Sequence, residues 1–356
     1  MSPLRPHADA RTQLLAAITA ILVISGLRAS YSVTMPLAAA AVTIAAVWPL
    51  KQWLDRAMSS ALSYIGTLLV LLLVFSGFMA AVYFSAAQIV RAFASNQEQF
   101  KQFYSALTDW AGQWGIDTLG ALEGYNRLID FGQMLLSNVY TVLVYLGFIA
   151  ILVVLGLPAV PVLRANLSRA LNAAERRELI DTIDEIAIKV RQYVGITALT
   201  SLITGLASAL WAFTIGLELA LVWGLLNFLL NFIPVVGNII GILPPTLYAA
   251  IQFQSLTTTL VVFAGFSILQ IAISNFLYPA LQGHRLALPA VVIVIAIAIW
   301  TWIWGIAGAV LAVPLTATLL IAGDHFRTTG WLVKLLSGSR DNSGSGISRR
   351  PQDRGG

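Results

Sequence analysis

The stretch that decides the fold is NFLLNFIPVVGNIIGILPP, residues 227–245. It is apolar enough to lie in lipid, yet it does not suit one uninterrupted helix. Pro234 lacks the backbone N–H that an interior turn donates, and its ring crowds the preceding turn. Gly237 and Gly241 permit a turn or the close approach of another backbone, and Pro244 and Pro245 punctuate the stretch a second time. A helix break in a bilayer leaves carbonyl and amide groups without water. Such backbone persists only where protein buries it or where it lines a cavity. Asn227, Asn231 and Asn238 flank the break and offer amide donors and acceptors beside it.

Composition fixes the surroundings. The chain has 356 residues, of which 58% are hydrophobic and only 10% are charged, and its mean hydropathy is +0.82. An ordinary soluble domain is about 45–50% apolar and about 25% charged. A soluble enzyme, a disordered chain and a nucleic-acid-binding domain are therefore excluded. An all-α, polytopic membrane protein is expected. Cys is 0, which removes disulfides, thiolate metal sites and a Cys nucleophile. His is 3 and no HExxH motif occurs. No catalytic residue, metal site or cofactor is expected, and the chain does not read as an enzyme.

Hydropathy gives candidate spans at 12–27, 31–50, 62–88, 137–157, 195–214, 217–251, 255–279 and 286–322, about eight in all. Two of these, 217–251 and 286–322, are too long for one ordinary span, and both contain Gly and Pro. They read as broken or re-entrant helices in the C-terminal half. The expected organisation is three N-terminal spans in 1–90, an amphipathic extracytoplasmic segment in 91–136, a fourth span in 137–158 and a cytoplasmic amphipathic connector in 159–194. A C-terminal transport region at 195–323 and a basic, disordered tail at 324–356 complete it. The segment at 91–136 carries Phe100, Phe103, Tyr104, Leu107, Trp110 and Trp114 at helical spacing. Arg5, Arg11, Lys51, Arg56 and the basic residues of the connector all fall on one side of this topology, with the C-terminal tail. The positive-inside rule makes that side cytoplasmic, with both termini there, in a bacterial inner membrane. From Tyr193 to Gly323 only Glu218 and Arg285 carry a full charge.

Two further polar groups accompany the first. Gln270, Ser274, Asn275 and Tyr278 share a helix face, followed by Pro279, then Gly283, His284, Arg285 and Pro289 in a turn. The third is WTWIWGIAGAVLAVPLT, residues 300–316, in which Gly305, Gly308 and Pro314 echo Gly237, Gly241 and Pro244. Paired Gly/Pro-interrupted runs are the sequence pointer to broken helices around a midplane binding site. The substrate-binding candidates are therefore Asn227, Asn231, Asn238, Gln270, Ser274, Asn275 and Tyr278. The hinge candidates are Pro234, Gly237, Gly241, Pro244, Pro279, Gly283, Pro289, Gly305, Gly308 and Pro314. Glu218 is the one embedded acid and hence the candidate for ion coupling, although its place after Gly216 also suits a span boundary.

Three clusters of residues carry a resemblance. They are Gly216, Trp223-Gly224-Leu225-Leu226, Asn231-Phe232-Ile233-Pro234, Gly237 and Pro244; then Asn275, Pro279, Gly283 and Leu286-Ala287-Leu288; then Trp302, Gly305, Gly308 and Ala312-Val313-Pro314-Leu315. Together they resemble the autoinducer-2 exporter (AI-2E) family of bacterial permeases over residues 12–335, most strongly over 179–320. Gln113-Trp114-Gly115-Ile116-Asp117 resembles the quorum-signal exporter branch. The resemblance implies an eight-span permease that exports a small polar signalling molecule such as autoinducer-2. It also implies a homo-oligomer such as a pentamer, and an elevator-like moving part in the C-terminal half. Its implied partners are membrane lipid and a small polar solute, without nucleic acid. Some members are linked to sodium(lithium)/proton exchange, which is the alternative. Many relatives carry an acid near Ser274 or Tyr278, and none stands here. Pro289 occupies a position where a small polar residue or His is common.

Overall fold

The computed structural model describes residues 10–96, 98–99, 102, 105, 112, 139–234, 236–282 and 289–324. Most of the expected amphipathic segment at 91–136 and the tail beyond Asp324 lie outside the described residues, as do Gly283 and His284. Among the described residues every regular element is helical.

The described residues open with α1 (Ala10–Ala29), α2 (Tyr31–Ala57), α3 (Ser60–Ser95) and α4 (Val139–Ala170). α5 (Ala173–Ile215) is 43 residues long. Three short helices follow, α6 (Ala220–Leu230), α7 (Val236–Ile240) and α8 (Leu243–Phe253). α9 (Leu256–Ala272) runs through a π turn at Ile273–Leu277 into α10 (Tyr278–Gln282), and α11 (Ala290–Asp324) closes the described chain. Among the described residues six helices are long and apolar enough, by length and composition, to cross a membrane: Tyr31–Ala57, Ser60–Ala92, Thr141–Leu167, Glu175–Ile215, Leu256–Gln282 and Val291–Gly323. The all-α, polytopic reading holds. Three of the eight expected spans differ from the rest, one of them, 286–322, because it breaks at Gly305. The run 12–27 folds as α1 but is not among these six. The run 217–251 does not cross as one helix. α6 and α8 have 11 residues each, about 16 Å of rise apiece, which is half of a hydrocarbon core of about 30 Å.

The connector boundary expected at 194/195 falls inside α5, because nothing there breaks the helix. Ala173–Ile215 contains no Pro. A Cβ added at Gly195 would meet nothing within 4 Å, so no close approach depends on that glycine. Asn172 starts α5, its side-chain oxygen accepting from the Glu175 N–H at 3.0 Å. α4 likewise passes through Pro158 and Pro161 without ending. Arg164 and Asp184 tie α4 to α5. Both side chains are about two-fifths exposed, so the pair adds at most about 1 kcal/mol.

α11 consists of two helical arms that meet at a sharp break. Trp304 (φ −127°, ψ 17°) and Gly305 (φ 62°, ψ −145°) leave the helical region. The Gly305 conformation is essentially closed to residues with a Cβ. Beyond it the chain folds back, because the Trp300 indole N–H donates to Thr316 Oγ1 at 3.1 Å. In a straight helix those residues would stand about 24 Å apart along the axis. Trp300, Ile303 and Trp304 of the first arm therefore bury against Ala309, Leu311 and Ala312 of the second, with Met35 of α2 beside them.

The two hairpins stand on either side of α9 and α10 in the chain. The first (α6–α8) begins where α5 ends and finishes where α9 begins. The second begins after α9 and α10 have crossed. The first packs through Trp223, Tyr248 and Ile251 onto Ala212 of α5 and Phe266 of α9. Its α6 arm meets α5 through small residues. A Cβ on Gly224 would lie 2.6 Å from the Gly205 carbonyl, and one on Gly205 would lie 2.9 Å from the Gly224 carbonyl. Lipid supplies no hydrophobic force between helices, so such close contact is a main source of their association.

Candidate functional site

The first hairpin carries an amide at each stage of its break. Asn227 sits in α6 and is 1% exposed. Its amide donates to the Trp223 carbonyl at 3.0 Å and to the Gly241 carbonyl at 3.2 Å. One side chain thus satisfies backbone on both arms. The Gln270 amide of α9 donates to Asn227 Oδ1 at 2.7 Å. Gln270 is 3% exposed, and its own Oε1 is buried without a hydrogen-bond partner. At the tip, Asn231 donates to Ser201 Oγ at 3.0 Å, with Thr200 Oγ1 at 3.5 Å. On the returning side Asn238 donates to Ser274 Oγ at 2.6 Å. The structure therefore joins Asn227 to Gln270 and Asn238 to Ser274, and ties Asn231 to α5.

The hinge residues divide by what they do. Gly237 lets the backbone pass the Leu230 carbonyl, which would lie 1.8 Å from an added Cβ. At Gly241 a Cβ would fall 2.3 Å from Asn227 Oδ1, in the space that the amide bridge uses. Pro234 lies in the turn after α6, and Pro244 is in the first turn of α8, where the missing N–H costs no helical bond. Gly308 repeats the close approach in the second hairpin, with the Trp300 carbonyl 1.9 Å from a Cβ. There Gly305 makes the reversal, while Pro314 sits within the second arm. Pro289 immediately precedes α11, its carbonyl accepting from the Ile293 N–H at 3.2 Å. Pro279 is exposed in α10.

Two candidates stand apart. Asn275 lies in the π turn, is exposed, and donates to the Ile271 carbonyl of its own helix at 3.1 Å. Glu218 sits at the mouth of the first hairpin and is exposed. Its Oε2 accepts from the Tyr248 hydroxyl at 2.7 Å, and its backbone carbonyl accepts from the Trp223 indole at 2.8 Å. Gln252 completes the clasp, accepting from the Glu218 N–H and donating to the Gly216 carbonyl, both at 2.8 Å. This arrangement closes the hairpin's base. A Gln oxygen can accept the Tyr248 proton as a carboxylate does. Glu218→Gln is therefore expected to keep transport within about twofold of wild type in a liposome flux assay. A loss of tenfold or more would restore Glu218 to the ion-coupling role.

One part of the site escaped the sequence reading. Thr197, Thr200, Ser201, Thr204 and Ser208 of α5 are all 3% exposed or less. They form a hydroxyl stripe at helical spacing, of which Thr200 and Ser201 face the hairpin tip. Thr200 and Thr204 donate to carbonyls one turn back, at 2.9 and 2.7 Å. Spacing of three and four within an apolar run was the available signal. It is easily passed over because a Ser or Thr can satisfy itself on its own helix.

Together these features define a multi-pass helical membrane protein with two broken-helix hairpins and a buried, uncharged polar seam. The chain belongs to the AI-2E family of transporters, whose sequence pattern matches residues 14–328. It is 33% identical over 135 residues to the AI-2 transport protein TqsA of Escherichia coli K12, covering 37% of this chain and 38% of that protein. A Borreliella burgdorferi protein named only as a transport protein is 28% identical over 211 residues, 59% of this chain and 54% of that one. The transport protein YhhT of Escherichia coli K12 is 31% identical over 154 residues, 43% of this chain and 44% of its own length. The matches thus cover about half or less of these relatives' lengths.

Proposed function

We propose that the protein exports a small, neutral, hydroxyl-bearing signalling molecule such as autoinducer-2 across the bacterial inner membrane. The observation that carries this reading is the Asn227–Gln270 bridge, a buried amide pair at a helix break with Gln270 Oε1 unpartnered. A neutral polyhydroxylated solute is bound by amides, hydroxyls and freed carbonyls, the groups gathered along this seam, and needs no opposing charge. The name of the TqsA relative agrees with that solute class. In this reading residues 195–323 form the transport region, the termini are cytoplasmic, and the working unit is a homo-oligomer such as a pentamer. Sodium(lithium)/proton exchange has no comparable support, since Glu218 is occupied in the clasp with Tyr248.

The test is flux of autoinducer-2 in proteoliposomes. Wild-type protein is expected to move it faster than protein-free vesicles. Asn231→Ala, which frees the tip from Ser201, is expected to slow it severalfold with membrane insertion intact. Wild-type flux no faster than leak would end the proposal.

A further inference from the structure

The hydroxyl stripe of α5 continues past the hairpin tip. One turn beyond Thr200 lies Thr197, and one turn further lies Tyr193. Both are buried, Thr197 at 3% and Tyr193 at 4% exposure. Neither the Tyr193 hydroxyl nor Thr197 Oγ1 has a partner in good hydrogen-bond geometry among the described residues, although Thr197 stands near enough to both tyrosines to interact with them. Tyr278, at the start of α10, packs on this same part of α5, and its hydroxyl and that of Tyr193 both lie beside Thr197. Three hydroxyls from two helices thus converge at a point that the bridge at Asn227 does not reach.

An unpaired buried hydroxyl is costly in a medium without water. A side chain kept solely for packing here would be served as well by Val or Phe. The surroundings also restrict what could pair with it. Glu218, the one acid between Tyr193 and Gly323, follows the far end of α5, about 35 Å along the helix from Tyr193.

We infer that Tyr193, Thr197 and Tyr278 form a second solute-binding position, which holds a hydroxyl or carbonyl group of a neutral solute near the middle of α5, away from Glu218. This rests on the solute class proposed above and extends it to residues outside the hairpin. Tyr193 and Tyr278 donate to solute oxygen, and Thr197 either donates or accepts. The seam then offers hydrogen-bonding groups in sequence, from Gln270 and Asn227 past Asn231 to Thr197 and Tyr193.

The experiment combines two measurements on Thr197→Val and Tyr193→Phe, which remove only the hydroxyls. In proteoliposomes loaded with autoinducer-2, each variant is expected to raise the half-saturating concentration about three- to tenfold, the loss of one hydrogen bond. In detergent without solute, each is expected to melt within about a degree of the wild-type temperature or above it, because hydroxyls out of good hydrogen-bond geometry with one another contribute little to the fold. A lower melting temperature would assign these groups a structural role and overturn the inference. Unchanged half-saturation with active wild type would overturn it alone. Inactive wild type would overturn the solute reading and this assignment with it.

Discussion

Gly237→Ala is expected to reduce transport at least tenfold and to lower the melting temperature in detergent by several degrees, while the protein still inserts in the membrane. The added methyl would meet the Leu230 carbonyl at 1.8 Å. The obstacle is backbone, so no side chain can swing aside. Relief requires the two arms of the first hairpin to separate, and α6 is held on its other face by the Gly205–Gly224 contact. Overpacking of this kind costs about 1–3 kcal/mol, and rigid surroundings push it to the upper end. Separation of the arms would also stretch the bond from Asn227 to the Gly241 carbonyl, 3.2 Å in the intact hairpin. Insertion is spared because the six long apolar helices are untouched. Gly77 is the control, since a Cβ there has nothing within 4 Å. Gly77→Ala should behave as wild type, and equal behaviour of the two variants would refute the close-approach argument.

The second large effect concerns the amide bridge. Asn227→Leu is expected to destabilise the protein by about 2–3 kcal/mol. It strips the Gln270 amide of its acceptor and the Gly241 carbonyl of its donor, in a place where unpaired polar groups cannot reach water. Gln270→Leu should cost less, because it leaves only Asn227 Oδ1 unpaired. The double variant should be less destabilised than the sum of the single ones, since removing both partners removes the unpaired groups together. Transport should nevertheless fall at least tenfold in all three, because each removes at least one of the two amides offered to the solute. Thermal melting of the four proteins gives the coupling, and strictly additive shifts would mean that the bridge does not form.

The spans were legible because the bilayer leaves hydropathy little freedom. The run of residues 62–88 lies within α3 and 137–157 almost entirely within α4, as about 20 apolar residues dictate. The first hairpin was legible at Pro234 and Gly237, since only a break would place those residues inside such a run. Its pairings were half legible. Asn227 and Gln270 are 43 positions apart, and a face rule on one helix cannot say which amide of another it meets. Asn275 was assigned to the seam by spacing on a regular helix, and the π turn at Ile273–Leu277 defeats that rule. The second hairpin hid its reversal. Pro314 is the louder signal, yet the chain turns at Gly305, because a Pro at the right place in an arm is tolerated while a positive φ is not open to most residues. The continuity of α5 through residue 194 was illegible for the opposite reason. Charge density changes there, but charge does not end a helix that has no competing partner for its backbone.

The π turn has a consequence for descent. Steps of four along a regular helix drift by about 40° each, and the wider turn draws Ser274 and Tyr278 back towards the line of Gln270. Turns of this kind hold one residue more than an α-helical turn, so in a lineage they come and go as single insertions and deletions. A relative that lost a residue between Ala272 and Tyr278 would keep every polar letter of α9 and α10. Its tyrosine would nevertheless be rotated by about 100°, away from Thr197. Kinship in this segment is therefore a matter of length before it is a matter of letters, and two chains can agree closely on either side of it while presenting different faces to a solute.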